Sequence, residues 1–215
     1  MNKQRSKEYR ERIGKALATP KLQDALHKFG DAYLLSREKA YTGLNFEEMR
    51  GKISEMKTGV RENHTELLDQ FITNAESAGA IIYRAKDADD ANRYITELAK
   101  RKNASLVVKS KSMVSEEIHL NHALEDAGID ALETDLGEWI IQLAGQKPSH
   151  MVMPAIHMFK EEVAELFGKE TGKEEPAEIE HLVEVARGQL RQGYFNAEIG
   201  ITGANVAIAE TGGIA

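Results

Sequence analysis

The sequence predicts an α/β protein, a mostly parallel sheet flanked by helices, with a helical N-terminal extension. Two patterns carry this. Over residues 1–78 apolar side chains recur at helical spacing among charges, with no convincing strand. From residue 79 to 215, short apolar runs alternate with helical patterns of about 10–15 residues, the spacing of crossover units that join parallel strands. The chain ends on Gly200 to Ala215, read as a Gly-rich turn, a buried strand, a second turn and the start of another strand. Because an apolar terminal strand leaves an unpaired edge, the α/β domain is expected to be incomplete at its C-terminus.

In order along the chain, Tyr9, Ile13 and Leu17, then Leu22, Leu26, Phe29, Tyr33 and Leu34, place helices among charged residues. Asn45, followed three residues later by Glu48, reads as an N-cap with a capping box. Leu67, Leu68, Phe71, Ile72 and Ala75 share one face of a helix from about Glu62 to Ala78. Ala80–Tyr83, bounded by Gly79 and by Lys86-Asp87, is expected to be the first strand. Ser105–Val108 is a second, and a helix beginning near Ser115 carries His119 and His122. Gly128–Thr134 and Met151–Ile156 are further strands; Ile179, Leu182, Val183, Ala186 and Leu190 line another amphipathic helix. Met151, Met153 and Met158 read as core fillers.

Composition excludes several functions. With 41% hydrophobic and 29% charged residues the chain is an ordinary globular protein, neither disordered nor membrane-inserted. A net charge of −7 without a basic cluster argues against duplex nucleic-acid binding, which needs a positive surface. No run approaches the roughly 18 apolar residues of a membrane span and no signal-peptide core is present, so a cytoplasmic location is the expectation. With no cysteine, disulfides, thiolate catalysis and cysteine-ligated metal are ruled out in these residues.

The sharpest constellation is Lys109-Ser110-Lys111-Ser112, which follows a strand and precedes a helix. Carboxyl ends of parallel strands form ligand crevices and helix N-termini present free amides, so a small anionic ligand is expected there. The alternative is that Ser112 and Ser115 merely cap while Glu116 and Glu117 answer the helix dipole. A second group is Thr202, Gly203 and Asn205 with Thr211 and Gly212, whose glycines let backbone approach a ligand. Glu210, at the end of its strand, is either a solvated residue or a functional acid. Glu133, Asp135 and Glu138 cluster at another strand end, where Asp135 either orients a ligand or caps the helix through Trp139, with Glu138 completing the box. His157, after the Met151–Ile156 strand, stands in a catalytic position. His119 and His122 lack a third ligand, so no metal site is expected.

Taken together, Lys109–Glu117, Glu133–Gly145, Pro148-Ser149-His150, Met153–His157 and Gly200–Asn205 through Glu210-Thr211-Gly212 resemble the lactate-utilisation protein B family, over nearly the whole chain. The resemblance implies a LUD domain with the fold of glucosamine-phosphate deaminase, ribose-phosphate isomerase and CoA transferases. It implies an iron–sulfur subunit that works with other lactate-utilisation subunits to oxidise L-lactate to pyruvate. Its two 4Fe–4S clusters would lie in a C-terminal part that these residues lack. The alternatives are a stand-alone sugar-phosphate or CoA-ester enzyme of the same fold, and a non-catalytic assembly module.

Overall fold

The computed structural model describes residues 3–215. Four helices come first: α1 (Lys3–Leu17), α2 (Pro20–Ala40), α3 (Phe46–Glu62) and α4 (His64–Ser77). Asn45 accepts a hydrogen bond from the Glu48 amide and so starts α3 as its side chain predicts. Neither α2 nor α3 contains a buried residue.

The sheet begins after α5 (Ala88–Arg101), which Asp87 caps by accepting from the Asp90 amide. Strand β1 (Leu106–Ser110) is central. It pairs in parallel with β2 (Asp130–Glu133) on one side and with β3 (Ile199–Thr202) on the other. Two short helices, α6 (Met113–Glu117) and α7 (Leu120–Asp126), make the first crossover; α8 (Leu136–Ala144), α9 (Lys160–Thr171) and α10 (Ile179–Asn196) make the second. Each face of the sheet has its own core. Ala99, Leu120, Leu124 and Ile129 pack around Val107 on one side, and Trp139, Phe167, Leu182, Ala186 and Leu190 on the other. Gly193 of α10 has no room for a Cβ, because Leu132 and Val108 fill that space. An antiparallel pair, β4 (Ala207–Ile208) and β5 (Gly213–Ile214), follows.

Five expectations are corrected. Ala80–Tyr83 forms no strand: Ile81 is fully turned to solvent, while Tyr83 leaves the run to stack on Tyr94 and donate to Asp90. Met151–Ile156 is a loop between α8 and α9 with Met151 and Val152 exposed, so Met151 fills no core. The start of the expected terminal turn, Gly200 to Thr202, belongs instead to β3, a full member of the sheet. The expected buried strand after it is the exposed hairpin arm β4. His119 takes a left-handed conformation (φ +56°) between α6 and α7, so it and His122 do not share one helix. An apolar run or a periodicity is a local signal, and whether it becomes a strand or a continuous helix depends on the neighbours that folding supplies.

Candidate functional site

The three parallel strands end side by side at Ser110, Glu133 and Thr202, which is where open α/β sheets bind ligands. Lys109 is 1% exposed, because its side chain turns under this crevice rather than into it. Its Nζ lies 2.7 Å from Glu133 Oε1 and 2.5 Å from Glu116 Oε1. Asn121 Nδ2 donates to the same Glu133 oxygen at 3.0 Å. A buried cation is stable only when paired and hydrogen-bonded, and the two carboxylates supply that.

Lys111 faces the mouth. Its backbone adopts φ +50°, a region that a non-glycine residue enters at some cost. Two contacts hold it there: Nζ lies 2.7 Å from Asp135 Oδ2, and Gly203 packs so closely on the Lys111 carbonyl that a Cβ would stand 2.5 Å from it. Asp135 caps α8 by accepting from the Gly137 amide, as its sequence position predicts. The Glu138 carboxyl, in place of completing a capping box, meets the Asp135 carboxylate, and its Oε2 is buried with no hydrogen-bond partner.

The electrostatics follow from burial and proximity. Burial, then the hydrogen bond and charge of Asp135, push Glu138 up to about 7. Burial also raises Glu133, against the hydrogen bonds from Lys109 and Asn121. For Asp135 burial acts upward, but hydrogen bonds from Glu138 and Lys111 outweigh it and hold the group below its ordinary range. The hydrogen bond to Asp135 raises Lys111. Ser112, Met113, Glu116, Glu133, Glu138 and His150 border a cavity with room for about one water. Four carboxylates thus face two ammonium groups, an acid excess that disfavours a multiply charged anion and favours holding a proton.

The residues singled out in the sequence separate into three places. Lys109, Ser110, Lys111, Ser112, Asp135, Thr202 and Gly203 come together at the strand ends; Ser112 caps α6 by accepting from the Ser115 amide. His157 lies in the α8–α9 loop, its Nδ1 2.6 Å from Ser149 Oγ and its Nε2 2.6 Å from Gln146 Oε1. Glu210, Thr211 and Gly212 form the β4–β5 turn against α4, where Asn74 Nδ2 donates to the carbonyls of Ala209 and Glu210. Asn205 joins the same hairpin by donating its amide to the Ala215 carbonyl. Glu116, Asn121, Glu133 and Glu138 are the additions to the site. The acid run Glu133–Glu138 signalled two of them, whereas Asn121 gave no local signal. Among the described residues no group of three or more His, Asp or Glu is arranged to hold a metal ion. The residues present do not fit an iron–sulfur cluster either, because the chain has no cysteine thiolate to bind one.

The LUD domain family model matches residues 68–215, which include the three strands and the crevice at their ends, and the chain belongs to that family. Lactate utilization protein B of Oceanobacillus iheyensis is 41% identical over 207 residues, 96% of this chain and 43% of that protein. Lactate utilization protein B 1 of Bacillus mycoides is 42% identical over 198 residues, covering 90% of this chain and 41% of the relative. The uncharacterized electron transport protein YkgF of Escherichia coli is 39% identical over 208 residues, 96% of this chain and 44% of that one. The chain therefore spans less than half the length of these curated relatives. No solved structure matches it.

Proposed function

We propose that the chain is the LUD portion of a lactate-utilisation protein B, an iron–sulfur subunit that takes part with partner subunits in oxidising L-lactate to pyruvate. The observation that carries this is the 37–42% identity, over 90% or more of the chain, to proteins named lactate utilization protein B. Their greater length leaves room for the two 4Fe–4S clusters outside these residues, and the cytoplasm is the proposed location.

Oxidising a hydroxy acid to a keto acid releases two electrons and two protons. The residues here are suited to the proton side alone. Glu138, poised near 7 beside Asp135 and Lys111, is matched to neutral pH as an acid–base group. Ser110, Ser112, Thr202 and Gly203 would border the ligand, and Lys111 would exchange Asp135 for the ligand's carboxylate. Lys109 would set the charge beneath. Glu210 lies exposed in the β4–β5 turn and His157 is held by Ser149 and Gln146, both away from the strand ends, so Glu138 takes the proton. The acid excess repels the multiply charged phosphates of a sugar phosphate or CoA ester more strongly than a singly charged carboxylate that takes the place of Asp135 on Lys111, which counts against a stand-alone sugar-phosphate or CoA-ester enzyme.

The test is complementation of a deletion strain with the full-length gene. Wild type should restore growth on L-lactate, and Glu138→Ala in the assembled subunits should lower L-lactate-dependent dye reduction by about 10²-fold or more. Undiminished growth of the deletion strain on L-lactate would sink the proposal.

A further inference from the structure

One face of α10 is built like the centre of an interface. Arg187, Leu190, Arg191, Tyr194 and Phe195 follow the i, i+3, i+4, i+7, i+8 spacing and form a single stripe about 12 Å long. With Thr134, just past the end of β2, they line a groove of about 350 Å³. Tyr194 and Phe195 are 57% and 70% exposed, and the Arg191 guanidinium sits 5.1 Å from the centre of the Phe195 ring. Among the described residues the arginines that form ion pairs are Arg50 and Arg93, and Arg187 and Arg191 have no carboxylate partner. Two unpaired arginines side by side, among residues whose net charge is −7, leave a local positive site on an otherwise acidic stretch of protein.

Exposed Tyr and Phe beside Arg is the composition enriched at binding hot spots. Strand addition is closed off next to the groove. Gln142 of α8 occupies the outer edge of β2, accepting from the Glu133 amide at 3.0 Å and donating to the Ala131 carbonyl at 2.6 Å. A second copy is disfavoured as well, since a two-fold contact through this stripe would bring four arginines together. Resting on the assembly with partner subunits proposed above, we infer that the α10 stripe receives an amphipathic acidic helix of a partner subunit. Its apolar anchor would lie between Leu190, Tyr194 and Phe195, and its carboxylates would meet Arg187 and Arg191 in charge-assisted bonds. The partner would then stand at the rim of the strand-end crevice, beside Thr134.

Full-length protein is titrated with the purified partner subunits by calorimetry at low and high salt. Arg187→Glu/Arg191→Glu should weaken binding by about 30-fold or more and Phe195→Ser by about 10-fold. Arg101→Glu, away from the stripe, should stay within about twofold, and circular dichroism should be unchanged in all. Affinities within about twofold of wild type for both stripe variants would overturn the inference while leaving assembly intact. Failure of the wild-type protein to bind any partner subunit would overturn the assembly proposal and the inference with it. A dimer of the full-length protein alone that the double variant dissociates would assign the stripe to a second copy and overturn it too.

Discussion

Lys109 and Lys111 stand two residues apart on one strand end, point the same way in sequence, and do different work. Lys109 neutralises two carboxylates in the interior, so Lys109→Met should destabilise the protein by about 3–5 kcal/mol in urea unfolding, the cost of a buried charge left unpaired. Adding Glu133→Leu should recover a large part of that loss, since the pair is coupled. Lys111→Ala, at the 58% exposed partner of Asp135, should cost about 1 kcal/mol or less. Glu138 sets a pH dependence. Its folded value of about 7 lies above the ordinary 4.5, so between these limits the folded state binds more protons than the unfolded state and stability falls as pH rises. Raised Glu133 acts in the same sense. The melting temperature should therefore decline from pH 5 to pH 8, and Glu138→Gln should flatten that decline; a steeper fall in the variant would contradict the assignment.

At the scale of elements, glycine decides two packings that no apolar pattern encodes. Gly203 lets the turn after β3 lie on the Lys111 carbonyl, and Gly212, at φ +70°, lets the β4–β5 turn lie against the backbone of Ala75 in α4. Gly212→Ala should destabilise this docking by about 1–3 kcal/mol, through both conformation and crowding. Hydrogen exchange would show it as faster exchange at the β4–β5 amides, with the β1 amides little changed. Caps were the most legible elements. Asn45, Ser112 and Asp135 each accept from an amide two or three residues ahead, because capping depends on neighbours in sequence alone. Strands were less legible. Ala80–Tyr83 has the apolar run of a strand but no neighbour to pair with, while Ile199–Thr202 looks like part of a glycine turn and is paired along its length with β1.

Across the whole molecule, the sheet and its helices serve to bring residues from positions 109, 116, 133, 138 and 203 to one crevice, and α10 presents its stripe beside it. If the protein acts as proposed, function will depend on partners as much as on this crevice, and the stripe variants should lower lactate-dependent dye reduction through assembly while leaving Glu138's effect separate. The sequence by itself determined the α/β class, the helical first third, the helix starts at Asn45 and Asp135, the lack of any thiolate for iron, and the likeness to the lactate-utilisation family, all of which rest on local pattern or composition. Only the tertiary structure decided that Lys109 is buried between two acids, that the crevice is acidic, that Glu210 belongs to a hairpin against α4, and that Arg187 and Arg191 have no carboxylate partner among the described residues. Those are facts about distance between residues far apart in the chain, and a carboxylate's charge or a lysine's availability is set by whatever folding places within a few ångströms of it.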